Sequence, residues 1–280
     1  EIHARLRAAR DGGTAVLLVS EDLDELLALS SRLLVLSHGL GEHSGRYAAL
    51  AGELVSQGYG VYAMDHRGHG RSPGPRANVQ RFAHLVSDLC VFVGRCGRQH
   101  LDAPVYLLGH SMGGLVVARA VAQQLRPVDA LVMSSPALGI RANTVQKLLL
   151  SVLPDLLPHL TIGNGLDPQW VARDAAVVQA YRSDPLVHDR ISPRLGAWIW
   201  REGPKTLAAA DRWPLPTLLL YAGTDKLVDP AASDAFAQRA PADRIQAQRY
   251  EAMYHEVFND PERAQVLTTL TQWLQARFAA

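Results

Sequence analysis

Gly109-His110-Ser111-Met112-Gly113 has the form G-x-S-x-G and joins two kinds of sequence. Before it lies an apolar run, Val105-Tyr106-Leu107-Leu108; after it, Leu115 to Ala122 is apolar and helix-compatible. Strand, tight turn and helix form the context in which such a motif becomes a nucleophile elbow. The turn has no room for bulky neighbours, so Gly109 and Gly113 let strand and helix close on each other. Ser111 is then expected in a strained backbone conformation, its hydroxyl raised above the sheet. A short pattern recurs by chance, and a glycine turn with an ordinary serine is the competing reading. The two are separated by whether oxyanion donors, an acid and a base stand in the right order along the chain.

Outward from the elbow, strands and helices alternate. Leu33 to Leu36 reads as a strand, followed by His38-Gly39-Leu40-Gly41-Glu42-His43-Ser44-Gly45-Arg46-Tyr47. Tyr47 to Gln57 is amphipathic and helical, stopped by Gly58. Val61 to Met64 is the next strand, and Asp65-His66-Arg67-Gly68-His69-Gly70-Arg71-Ser72 is a glycine-rich loop after it. A helix from about Phe82 to Gln99 leads to the elbow strand, and Val128 to Met133 is a further strand. This alternation predicts an α/β fold with a mostly parallel sheet covered on both faces. Sites in such sheets form at the carboxyl ends of strands, where His38, Asp65, Ser111 and Ser134 stand.

Composition agrees with a large globular domain. Of the 280 residues, 48% are hydrophobic and 20% charged, and the net charge of +1 gives no case for nucleic acid or an anionic membrane as partner. Cys90 and Cys96 share one predicted helix on different turns, so neither a disulfide nor a metal knuckle is expected, and no cofactor is. No apolar run approaches membrane-spanning length and no secretory signal is visible, which predicts a cytoplasmic protein. The chain begins at Glu1 rather than Met, which leaves export open.

Three motifs in order, His38–Tyr47, Asp65–Ser72 and Gly109–Gly114, resemble those of monoacylglycerol lipases and their lysophospholipase-like relatives in the α/β-hydrolase superfamily. The resemblance runs from about residue 33 to the C-terminus. It implies a serine ester hydrolase with a small lipid or ester substrate. Residues 1–36 read differently. Thr14 to Val19 is a predicted strand, Ser20 caps a helix from Glu21 to about Ser30, and Leu33–Leu36 comes next as a second strand. Gly13 to Leu26 resembles the late part of ABC-transporter ATPase domains. No Walker A loop exists in the chain, so no ATPase activity is read from it. The hydrolase family usually opens with an antiparallel strand pair at this place. The expected organisation is an N-terminal segment 1–36 within the same domain, a hydrolase core of 33–135 and 205–280, and a helical cap at 136–204.

In that middle stretch Val145 to Leu153 is amphipathic, Pro154, Pro158, Gly163 and Gly165 interrupt the chain beyond it, and helical stretches recur at Pro168–Tyr181 and Pro193–Trp200. An irregular helical insertion between strands reads as a lid over the site. In the resembled family the cap shapes an acyl pocket and touches lipid. Leu148, Leu149, Leu150, Leu153, Leu156 and Leu157, with Leu138, are expected to line an apolar channel to Ser111.

The triad partners stand further along. Pro216 to Tyr221 is a strand, and Asp225 lies just past it, where the family places its acid; Asp229, before Pro230, reads as a helix cap. After a strand at Ile245–Tyr250, His255 stands on the last loop before a helix over Asp260–Phe278. Ser, Asp, His is the α/β-hydrolase order. Ser111 is the expected nucleophile, His255 the base and Asp225 its orienting acid, with the N–H groups of Leu40 and Met112 as oxyanion donors. Glu42, Tyr47, Arg67 and His69 are expected to brace loops. Competing readings are a short-chain carboxylesterase, lysophospholipase or peptidase on the same scaffold, and a non-catalytic binding protein. A dehalogenase or epoxide hydrolase needs an aspartate where Ser111 stands.

Overall fold

A computed structural model describes residues 32–81, 83–99, 103–140 and 144–277. The predicted elements of residues 1–31 lie outside the described residues. The described chain runs β1 (Leu33–Ser37), α1 (Ala48–Ser56), β2 (Gly60–Met64), α2 (Ala83–Gln99), β3 (Val105–His110), α3 (Met112–Ala122) and β4 (Ala130–Ser134). After an insertion come β7 (Thr217–Ala222), α7 (Pro230–Arg239), β8 (Ile245–Tyr250) and α8 (Arg263–Ala276). The six strands form one sheet in the order β2-β1-β3-β4-β7-β8, and every described pair in it is parallel.

Alternation along the strands splits the core in two. Leu33, Val35, Leu107, Met133 and Leu219 face one helical layer, while Leu34, Leu36, Leu108, Val132 and Leu220 face the other. All are fully or almost fully buried, as continuous apolar strands of a doubly covered sheet should be. Register aligns the strand ends: Ser37 lies beside Met64 and Gly109, and His110 beside Ser134. The chain passes from β2 over β1 to β3, so the switch in strand order falls between β1 and β3. That is where a crevice opens in such sheets, and His38–Leu40 and Ser111 flank it.

The insertion contains α4 (Thr144–Leu156), a short antiparallel pair β5 (Ile162–Gly163) and β6 (Arg190–Ile191), α5 (Ala175–Ser183) and α6 (Pro193–Ala208). Three details depart from expectation. Pro154 lies inside α4 rather than ending it. The Pro168–Tyr181 stretch divides into a 3-10 turn at Pro168–Trp170 and α5, each capped by an aspartate, Asp167 and Asp174. Proline also sits within α6, at Pro204, and the helix continues past Trp200 and across the expected boundary at residue 204. Gly203 sits so close to the Leu138 carbonyl that a side chain there would collide with the backbone, so α6 packs against the chain just after β4. No helix among the described residues is long and apolar enough to cross a membrane.

Candidate active site

Ser111 is held in the expected strained conformation, φ 54° and ψ −120°, a region that costs a non-glycine residue about 1–3 kcal/mol and persists only where neighbours fix it. They do so from both sides. Its N–H donates to Ser134 O at 3.0 Å, and its carbonyl accepts from Ala137 N at 3.0 Å and Leu115 N at 3.1 Å. A Cβ on Gly113 would overlap the Ser37 and His38 carbonyls, and one on Gly109 would lie 2.5 Å from the Gly113 carbonyl. The two glycines are therefore required by close backbone approach. Met112 begins α3, and the side chain of Ser111 makes no capping bond to that helix.

Asp225 lies past β7 on a loop tied to the end of β8 by Gly223 N–H to Tyr250 O (2.8 Å) and Thr224 Oγ1–H to Glu251 O (2.7 Å). Its Oδ1 accepts from Leu227 N at 2.8 Å and Val228 N at 3.0 Å, and its Oδ2 faces His255 Nδ1 at 2.7 Å. Both side chains are buried. Burial pushes the Asp225 carboxyl up, but the imidazole charge and bond of His255 and the two N–H donors outweigh it, and the net shift is down. Burial pushes His255 down, yet Asp225, then Glu256 and Glu42, lift it above its ordinary value. An imidazole so held is a stronger base than a free one. Asp229 instead caps α7, accepting from Ala231 N at 3.3 Å.

The neighbouring His110 ring lies 4.7 Å from that of His255. Burial, and then the charge of His255, depress it to about 3, so it stays neutral beside His255. Its Nδ1 is 3.0 Å from Ser134 Oγ.

The loop after β1 is built around a buried carboxylate. Glu42 Oε1 accepts from Gly39 N at 2.5 Å and Tyr47 Oη at 2.6 Å; its Oε2 accepts from Arg46 at 2.8 Å. Arg46 also forms a two-pronged ion pair with Glu256, the residue after His255, and stacks on the Tyr181 ring of α5 at 4.6 Å. Burial pushes Glu42 up, but Arg46, His110 and His38 and the Tyr47 bond bring it down to about 2. One arginine thus joins the post-β1 loop, the histidine loop and the insertion. The sequence marks Glu42 and Tyr47 as braces; it carries no sign of Glu256 and Tyr181, which are far from them in the chain. Of the other expected braces, Arg67 pairs with Asp88 and His69 stacks on His188.

Two cavities meet at Ser111. A largely apolar one of about 460 Å³ is lined by Leu40, Ser111, Met112, Ile140, Leu149, Leu150, Leu153 and Ile199, with Gly196 in its wall. A smaller recess shares Leu40, Ser111 and Leu227 with it and is bordered by Glu42, His110, Asp167, Tyr181, His255 and Glu256. The structure thus gathers Ser111, Asp225, His255, Leu40 and Met112 at one point and puts Leu149, Leu150 and Leu153 in the channel. The other expected lining residues fall elsewhere. Leu138 is wholly buried in the core. Leu148 is 62% and Leu156 69% exposed, and Leu157 is exposed too. On a helix, positions 146, 149, 150 and 153 share one face, while 148, 152 and 156 share another. Reading the leucines as one run misses that division. Ile140, Ile191, Gly196 and Ile199 are lining residues with no sequence signal beyond their apolarity. Among the described residues no group of histidines, cysteines and carboxylates is arranged to hold a metal ion.

Residues 30–262 match the family model described as serine aminopeptidase, S33. The chain is 36% identical to a monoacylglycerol lipase of Mycolicibacterium smegmatis, over 86% of this chain and 87% of that protein. It is 33% identical to phospholipase YtpA of Bacillus subtilis, over 84% of this chain and 91% of the other. A crystal structure of Paleococcus ferrophilus monoacylglycerol lipase superposes with a TM-score of 0.82 at 33% identity, covering 89% of this chain and 96% of that one. The family match starts at residue 30, so the ABC-transporter ATPase resemblance of the first thirty-six residues finds no support in it.

Proposed function

We propose a substrate and a division of labour for this chain, which belongs to the serine aminopeptidase S33 family and is a monoacylglycerol-lipase-like serine ester hydrolase. Its substrates are monoacylglycerols and medium-chain esters. Ser111 Oγ attacks the ester carbonyl while its proton passes to His255 Nε2. The oxyanion is met by the N–H groups of Leu40 and Met112. His255 returns the proton to the departing alcohol as the carbon–oxygen bond breaks, leaving an acyl-enzyme. Water then repeats the sequence, giving its proton to His255 and releasing the fatty acid. Asp225 holds the imidazole in orientation and stabilises its charged form.

The observation that carries the substrate is the pairing of cavities. One apolar channel reaches Ser111, and a small recess bordered by Glu42, His110, Asp167, His255 and Glu256 as well as apolar side chains adjoins it. A monoacylglycerol has one chain and one small polar head. A triacylglycerol has two further chains, which one channel does not hold. The segment from α4 to β6 is read as a cap over this channel. Its outer stripe of Leu148, Val152 and Leu156 suits transient contact with a lipid surface. The two free thiols, Cys90 and Cys96, suit a reducing compartment, and the cytoplasm is the location proposed. A second reading, lysophospholipase, is favoured by Lys226, an exposed cation lining the channel, which suits a phosphate headgroup.

The test is kcat/KM for acetyl, octanoyl and lauroyl monoglycerides. A methylene that leaves water gains about 0.8 kcal/mol, or roughly fourfold, as an upper bound per carbon. The value should climb until the channel is full. A steady fall from acetyl to lauroyl would replace this reading with a short-chain esterase. Faster turnover of lauroyl lysophosphatidylcholine than of lauroyl glycerol would favour the second reading.

A further inference from the structure

The helix α6 carries two glycines in its body, Gly196 and Gly203, and both are buried. Glycine is the poorest helix former after proline, so each position calls for a local reason. At Gly203 the reason is backbone, since a Cβ there would lie 2.3 Å from the Leu138 carbonyl oxygen. At Gly196 no backbone stands in the way. A Cβ there would meet only the tips of two side chains, Leu150 Cδ2 at 3.0 Å and Ile191 Cδ1 at 3.6 Å. A leucine methyl can turn aside by a few tenths of an ångström, and both Leu150 and Ile191 are only half-buried. Packing therefore does not demand a glycine at 196 as it does at 203.

What the missing side chain leaves open is the channel. Gly196, Leu150 and Ile191 all line it, and they come from three separate parts of the insertion: α6, α4 and β6. Leu150 belongs to the inner face of α4, and Gly196 lies between Pro193 and Ile199 on the lining side of α6. Where the two helices approach, the leucine of one thus lies against bare backbone of the other. A side chain at 196 would take channel space itself, and the neighbours it pushes are also channel wall.

The position along the channel follows from which residues are shared. Leu40, Ser111, Leu166 and Leu227 line both cavities and mark the end where an ester carbonyl meets Ser111. Leu150, Ile191 and Gly196 line the channel alone. They therefore face carbons further along an acyl chain, which an acetyl group does not reach.

We propose that Gly196 is the specificity-determining residue for acyl length, its bare backbone keeping the bore open between Leu150 and Ile191 so that longer chains pass. The proposal rests on the reading that this channel takes the acyl chain of the substrate.

Gly196→Ala, Gly196→Val, Leu150→Ala and the double variant Gly196→Val/Leu150→Ala test it on acetyl, octanoyl and lauroyl monoglycerides, with melting temperature as the check on folding. Each methylene shut out of the channel costs up to about fourfold in kcat/KM. Gly196→Val should lower kcat/KM for lauroyl glycerol by about tenfold or more and for acetyl glycerol by less than about twofold, with Gly196→Ala between it and the wild type. Leu150→Ala completes the cycle by removing the methyl that the new side chain would strike. The two substitutions should then couple rather than add, the double variant exceeding Gly196→Val on lauroyl glycerol by at least about threefold. A loss shared equally by all three esters would overturn the proposal, and so would a double variant no better than Gly196→Val. Should Gly196→Val not fold, Gly196→Ala decides: its lauroyl-to-acetyl ratio must fall below that of the wild type, and an unchanged ratio sinks the idea. The wild-type profile separates the two layers of the argument. If it falls steadily from acetyl to lauroyl, the channel reading fails and takes the proposal with it. If it climbs and Gly196→Val climbs equally, the channel stands and only the role of Gly196 is refuted.

Discussion

At the carboxyl ends of β3, β7 and β8 the groups around Ser111 are buried or braced by several bonds, whereas α4 turns leucines and a valine out to solvent. Both regions border the same channel. The first is fixed by backbone: strand register, tight glycine contacts and N–H donors on a carboxylate. The second is fixed by little more than an apolar inner face. Charge that develops during a reaction is stabilised best by groups already in place, and a chain of methylenes needs only dry surface. Substitutions at the strand ends should therefore act on kcat and be large. Substitutions on α4 should act on KM or on lipid contact and be small.

The sharpest way to break this contrast is Ser111→Ala. Turnover should fall on the order of 10⁴-fold or more while the protein stays folded. Removing the serine also removes the reason for the strained backbone but not the contacts that impose it, so thermal stability should change little. A pure, folded variant with most of its activity would end the assignment.

The two aspartates near β7 provide the next comparison. Asp225→Asn removes the charge that faces His255 and should cost on the order of 10⁴-fold in kcat. Asp229→Ala removes a helix cap and should cost about 1 kcal/mol of stability, with kcat nearly unchanged. Paired kinetic and melting measurements check this, and the reverse pattern would exchange their roles.

The pH profile sharpens the same point. In the proposed mechanism His255 acts as a base only when neutral, and its titration lies above the ordinary 6.5. The acid limb of kcat/KM should therefore have its midpoint above about 6.5, since that limb reports the free enzyme. In Asp225→Asn burial remains while the raising charge is gone, so the midpoint should move to lower pH. An unmoved limb would mean that another group controls it. Stability runs in a related window. The raised His255 contributes below its unfolded value and loses that contribution as pH rises through its folded one; the lowered Asp225 contributes above about 3.8 and loses it as pH falls. The pair is worth most between the two.

Legibility in the sequence divides along the same line. The strand-end positions of Ser111 and Asp225 are legible because each follows a plain apolar run, whereas His255 follows a strand in which Ile245 and Ala247 alternate with glutamines; strand ends are where parallel sheets put their sites. The Arg46 link between Glu42 and Glu256 is not legible, because it joins residues 210 positions apart by a packing that no local pattern encodes. The proline inside α4 misled for a local reason: proline generally ends a helix, and here the turn continues with Pro154 buried. The leucines of α4 are legible as apolar but not as two faces, because Leu148, Leu149 and Leu150 are consecutive and so fall on both.

That ambiguity supplies the smallest and most discriminating prediction. Leu153 lines the channel, and Leu148 lies on the outer face of the same helix at 62% exposure. Leu153→Ala shortens the wall by a few carbons and should raise KM for lauroyl glycerol by roughly fourfold or more, leaving acetyl esters unaffected, since each lost methylene contact is worth up to about 0.8 kcal/mol. Leu148→Ser should leave kinetics on dispersed, water-soluble esters within about twofold and should not lower stability, because an exposed site away from caps and cavities rarely matters by more than about 0.5 kcal/mol. Its effect should emerge only on vesicles carrying the substrate. If about half of a leucine's ~2 kcal/mol of burial is made against lipid, the apparent affinity for the surface should fall about fivefold. Should Leu148→Ser instead alter chain-length preference in solution, the outer face must close over the channel during turnover, and the division between a rigid chemical end and an adaptable substrate end would have to be redrawn.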